Sequence, residues 1–144
     1  MHQPPTSTRR TRWPLLAAVA SLVLAGALAG GVASALPPYS VHVRVVPTPV
    51  ATGSDFRVTA SGHSSNASFL VVFLALRACA STATEERSLG AMELIYRRVL
   101  GPYKRFRTVI AHTAGDHFAC AYLIGTPPQS LGRAFAFVPY AVTA

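Results

Sequence analysis

Hydrophobic positions in this chain fall into two regimes, one continuous run near the N-terminus and several alternating runs after it. Leu15 to Leu28, LLAAVASLVLAGAL, is apolar or small throughout, and no charged residue occurs between Leu15 and Val41. From Ser40 the period becomes two. Val41, Val43 and Val45 alternate with His42 and Arg44, and Phe56, Val58 and Ala60 alternate with Arg57, Thr59 and Ser61. Each run predicts a strand with one buried face. Between them PTPVATGSD carries two prolines and a Gly-Ser-Asp cluster, which predicts a turn. HSSNA, His63 to Ala67, is polar and predicts a loop. Ser68 to Leu76, SFLVVFLAL, is apolar on both parities, as expected of a central strand covered on both sides.

The middle of the chain carries a different signal. STATEERSLGAMELIYRRVLGP holds Thr82 and Glu85 at capping-box spacing, Leu89, Met92, Tyr96 and Val99 at helical spacing, and Gly101-Pro102 as a stop. Glu93 and Arg97 stand four apart, in the order that supports a helix. A short helix after Cys79 follows, with LIYRRVL open to either helix or edge strand. YKRFRTVIAH then predicts a strand with Phe106 inward and Arg105 and Arg107 together on the other face. Phe118 to Ile124 and Arg133 to Val138 predict two more strands, the last ended by Pro139. Several short strands with regular turns predict a mainly β, antiparallel sandwich with one short helix.

Charge changes the picture at the N-terminus. The apolar run follows TRRTRWP, with Arg9, Arg10 and Arg12 and no acid, and it leads to the small triplet Ala33-Ser34-Ala35. A basic segment, an apolar segment and an A-x-A exit make residues 1–35 a secretory signal. A run from Leu15 to Ala35 is also about long enough to cross a bilayer as an N-terminal anchor helix. Both readings place the body of the protein outside the cytoplasm, released after Ala35 or held by residues 15–35. Residues 36–39 are then a linker and 40–144 one modest domain. Removing the three leader arginines from 13 basic residues leaves ten against five acidic ones, a net charge of +5.

Two stretches resemble secreted bacterial immunoglobulin-like domains. PTPVATGSDFRVTASG (Pro47 to Gly62) looks like a sheet corner followed by strand B, and AGDHFACAYL (Ala114 to Leu123) looks like the Gly-x-x-aromatic-x-Cys approach to strand F. The antibody members place a cysteine in strand B and a tryptophan in strand C. Here strand B has no cysteine, the sole tryptophan is Trp13 in the leader, and Phe118 replaces the tyrosine of the corner motif. The resemblance implies an immunoglobulin-like sandwich in which strand C lies beside strand F. Cys79, just past strand C, and Cys120, in strand F, then pair as a structural disulfide. An oxidising compartment favours that pairing, the C-x-x-C of a redox pair is absent, and two thiols do not complete a zinc site.

Candidate chemistry is sparse. His112, Asp116 and His117 in AHTAGDH, or His63 beside Ser64 and Ser65, offer imidazole for metal binding or for activating a hydroxyl. The implied topology puts His63 and the other three at opposite ends of the domain, so they read as polar turn residues. No cofactor or metal is expected, and a small metal-dependent hydrolase is the lesser alternative. Arg97, Arg98, Lys104, Arg105 and Arg107, interleaved with Tyr96, Tyr103 and Phe106, form a candidate anion-binding cluster. The same charges also suit a solvated edge strand. Asn66-Ala67-Ser68 is a glycosylation sequon. Outside the cytoplasm the expected partner is an anionic envelope polymer, a lipid headgroup or an acidic protein, and not nucleic acid. The functional expectation is an exported binding or scaffolding module without catalytic activity, or a purely structural accessory subunit.

Overall fold

A computed structural model describes residues 37–128 and 131–144. The predicted leader, whether signal or anchor helix, lies outside the described residues. Among those described, no helix is long and apolar enough to cross a membrane. The chain runs β1 (Tyr39–Val46), β2 (Val50–Ala51), β3 (Asp55–Ala75), α1 (Ala83–Ser88), β4 (Met92–Ile110), β5 (Gly115–Ile124) and β6 (Gly132–Thr143).

Two long strands organise the sheet. β3 and β4 form an antiparallel ribbon from Asp55 opposite Ile110 to Leu74 opposite Met92. On the other edge of β3, β1 pairs with its first half and β5 with its second half. β6 pairs with β5, and β2 adds two residues parallel to the end of β6. The result is one six-stranded sheet that is not closed.

Alternation determines which side is the core. Val41 and Val45 of β1, Phe56 and Val58 of β3, Ile95 and Val99 of β4, and Tyr140 and Val142 of β6 join Leu70, Val72, Leu74 and Leu123 in one buried cluster. Both halves of β3 therefore send one parity into the same core, so the sheet folds over on itself. Ala60, Ala119 and Ala121, all fully buried, keep that interior thin, and β1 lies against β5 and β6 without pairing to them. The opposite parity of the second half, Val71, Phe73 and Ala75, packs with Cys120, Tyr122 and Ala83 of α1 in a second cluster. Each fully buried aliphatic or phenyl side chain there contributes roughly 2 kcal/mol. Of the stretch Ser68 to Leu76, predicted to be covered on both sides, Leu70 to Ala75 is buried on both parities, whereas Leu76 lies past the strand end and is exposed.

The polar HSSNA segment is not a loop. It continues β3, and the sheet bends there through a register shift between Ser64 and Ser68. Side chains supply what the interrupted ladder omits. The fully buried Ser64 hydroxyl is 2.6 Å from both Asn66 O and Ser68 Oγ, and Arg133 donates to Ser68 Oγ and to Ala67 O at 2.6 and 2.8 Å. Polar composition marks a bend here because hydroxyls compete locally for main-chain groups.

α1 forms where the capping signal stands, with Thr82 Oγ1 accepting from Glu85 N at 3.2 Å. It ends at Ser88, since Gly90 adopts φ +81° and turns the chain into β4. The helical spacing of Leu89, Met92, Tyr96 and Val99 is thus not used, and LIYRRVL is strand. Glu93 pairs with Arg87 rather than Arg97. β6 also passes through Pro139, which stays in register with Phe118. Only alternate residues of an antiparallel strand bond a given neighbour, and at Pro139 β5 is the only paired strand among the described residues.

Candidate anion-binding face

Three strands bring their polar parities together on the outer face of the first half of the sheet. Register sets the rows: His42, Ser61 and Lys104 lie side by side, then Arg44, Thr59 and Phe106, then Val46, Arg57 and Thr108. Strands stand about 5 Å apart and successive rows about 7 Å apart, so one extended ligand can span several of these cations. His42, Arg44, Arg57, Thr59, Ser61, Lys104 and Thr108 line a shallow groove of about 680 Å³. The Arg57 guanidinium sits 4.8 Å from the centroid of the Phe106 ring, which is 56% exposed. Asp55 is the one acid in this lining.

This arrangement corrects the orientation expected of Phe106. It points outward with Lys104 and Thr108, because its opposite number on β3 is Thr59 and not the core residue Val58. The five-cation cluster is dispersed accordingly. Lys104 joins the face. Arg105 and Arg107 sit opposite Ala60 and Val58 on the other parity, and Arg97 sits opposite Leu70 on that same parity. They stay exposed because β4 is an edge strand, unpaired on its far side among the described residues. Arg98, opposite Phe69, has the outward parity but lies beyond the bend. The residues missed in sequence, His42 and Arg44 on β1 and Arg57 on β3, had each been legible as outward positions of their strands; only pairing brings the two strands' cations and Lys104 onto one face.

The histidine readings resolve differently. His63 lies eight positions along β3 from Asp55, the partner of Ile110, so about 27 Å of strand separates it from the end that bears His112. Ser64 is committed to Asn66 and Ser68, and among the described residues the Nδ1 of His63 has no hydrogen-bond partner and pairs with no hydroxyl. His117 is buried, with Nε2 2.8 Å from Thr113 O and its ring stacked on Tyr140 at 5.4 Å. Asp116, exposed, is its neighbour on β5 and takes the opposite parity. Among the described residues, no three metal-ligating side chains converge. Asn66 donates from Nδ2 to the Tyr39 hydroxyl, at the bend.

Cys79 and Cys120 are bonded, with Cα atoms 5.8 Å apart. Cys120 pairs with Phe73 in the sheet, and Cys79 lies four residues past the end of β3, so the bond ties the crossing segment to the face it covers. A second tie lies beside it. Glu86, fully buried, accepts from Ala80 N and from the Tyr122 hydroxyl through Oε2, and its Oε1 lies 3.2 Å from Arg77 Nη1. Burial, then the neighbouring Glu86, pushes the Tyr122 phenol well above its ordinary range.

No family model and no curated protein matches this chain. Two solved structures are similar in part. An alkylpurine DNA glycosylase AlkC from Pseudomonas fluorescens, bound to DNA containing an abasic site analog, superposes with a TM-score of 0.48 at 10% identity over 74% of this chain; the chain spans 31% of the glycosylase's length. A superoxide reductase (neelaredoxin) from Ignicoccus hospitalis superposes with a TM-score of 0.46 at 14% identity, covering 72% of this chain and 80% of that one.

Proposed function

We propose that this chain is an exported, immunoglobulin-like binding module that holds an anionic polymer of the cell envelope on the outward face of β1, β3 and β4, without catalysing a reaction on it. The observation that carries the reading is that His42, Arg44, Arg57 and Lys104 fall in three successive rows of one face, with an exposed phenyl ring among them. Guanidinium groups bind phosphate or sulfate oxygens in pairs, and the ring offers an apolar plane to a sugar or polyol backbone. The disulfide is consistent with an extracytoplasmic site of action.

Retention of the purified chain on immobilised polyphosphate tests this. Binding should weaken steeply as salt rises, as surface electrostatics require. Arg44→Ala/Arg57→Ala should abolish retention, while Arg105→Ala/Arg107→Ala, on the other parity, should leave most of it. Equal loss in both double variants would mean that total charge, not this face, does the binding. Retention untouched by salt and by either pair would leave only a structural role.

A further inference from the structure

A second concavity opens at the end of the folded sheet remote from the bend, where the two ends of the β3–β4 ribbon approach each other. Phe56 and Ile110 come from one end of that ribbon, Leu74 and Met92 from the other, and Leu76 and Leu89 from the segment joining β3 to β4. Its volume is about 500 Å³, within the range of sites that take small organic ligands. The wall is unusually apolar for a surface. Leu76, Leu89, Met92 and Ile110 are 70%, 54%, 51% and 48% exposed, and they line one continuous cleft. Scattered exposed leucines need no explanation, whereas contiguous ones around a hollow do.

Arg77 is the one formally charged residue in the wall. Arg77, His112, Thr113 and His117 line it, and no carboxylate does. Arg77 Nη1 donates to Ala78 O at 3.0 Å and lies 3.2 Å from Glu86 Oε1, but Nη2 is buried without a hydrogen-bond partner among the described residues. An unpartnered guanidinium nitrogen is costly, and the Arg77 side chain, 39% exposed, can turn to bring it to an acceptor supplied by a ligand. We propose that this cleft binds an anionic amphiphile, a molecule with one apolar chain and a carboxylate or phosphate head. The chain lies against Leu76, Leu89, Met92 and Ile110. The head sits at the Arg77 and His112 side.

Titration calorimetry of the purified chain with dodecanoate, and with a dodecyl ammonium salt of the same chain length, tests the proposal. Dodecanoate should bind saturably at one site below its aggregation concentration, and the cationic homologue about tenfold or more weaker. Leu89→Asp/Met92→Asp changes two exposed residues and places like charge in the wall; it should lower dodecanoate affinity by about tenfold or more with an unchanged unfolding midpoint. His112→Ala should narrow the difference between the two headgroups. Absence of saturable binding, equal affinity for both heads, or affinity untouched by Leu89→Asp/Met92→Asp would overturn the proposal. So would a wild-type dimer that the double variant converts to monomer, since the cleft would then be an interface between copies. None of these readouts depends on the basic face.

Discussion

The Tyr103 hydroxyl donates to the main-chain oxygen of Ser40 at 2.7 Å, across the place where Gly62 has no side chain. Tyr103 and Ser40 lie on β4 and β1, on either side of β3, so this bond braces three strands near the bend. A Cβ at position 62 would stand 2.0 Å from Ser40 O and 2.8 Å from the hydroxyl. Gly62→Ala should therefore lower stability by about 2 kcal/mol or more in urea unfolding, as overpacking against main chain does. Tyr103→Phe removes the bond alone and should cost about 1 kcal/mol. A neutral Gly62→Ala would refute the close approach of β1.

The disulfide closes a sequence separation of 41 residues. On chain-entropy grounds its loss should cost about 4 kcal/mol, and a domain of this size rarely has more than about 5 to 15 in total. Cys79→Ala/Cys120→Ala should lower the unfolding midpoint sharply, and the oxidised chain, denatured without reductant, should take up no thiol-blocking dye.

Glu86 has no exposure to water, yet three groups depend on it. Glu86→Ala should cost about 3 kcal/mol, because Ala80 N loses its acceptor inside the protein and an ion pair loses its buried member. Arg77 is 39% exposed at its side chain and can turn to water, which holds the loss below the upper end for a broken buried pair. Tyr122→Phe should cost less, about 1 kcal/mol: it removes a hydroxyl that donates to Ala80 O at 2.6 Å and lies 3.0 Å from Glu86 Oε2, but it breaks no ion pair and leaves Ala80 N bonded to Glu86. Equal losses in the two variants would contradict this division.

Alkaline unfolding should follow the phenols. Burial pushes Tyr103 and Tyr140 from 10.0 up to about 12, and Tyr122 moves in the same direction. A folded-state pKa above the unfolded one favours the neutral, folded form, so this stability is complete below pH 10 and is lost as pH rises from 10 towards 12. Urea midpoints should fall across that window, and tyrosinate absorbance from these three residues should appear together with unfolding. Tyr140→Phe should flatten the fall.

The sequence showed its strand faces with some fidelity. Val41 and Val45, and Phe56, Val58 and Ala60, are buried as their alternation requires, and Thr82 caps the helix that its spacing with Glu85 announces. Continuity was less legible. HSSNA looked like a break because hydroxyl and amide side chains are common in loops, yet here they satisfy a bend inside one strand. Leu89, Met92, Tyr96 and Val99 fit a helical period by coincidence, and the positive φ of Gly90, which the sequence alone leaves optional, stops the helix first. The histidines and the five-cation run showed residue type without position, and the fold separates them.

By itself, then, the chain determined what is local: which parity of each strand is apolar, where a helix begins, and which two thiols are available to pair. Tertiary structure decided what depends on register. Arg44, Arg57 and Lys104 share one face, Phe106 points outward, and the two ends of one ribbon meet around an apolar cleft. The physical reason is that side-chain alternation is set within a strand by backbone geometry, whereas the neighbour across the ladder is set by pairing between residues tens of positions apart.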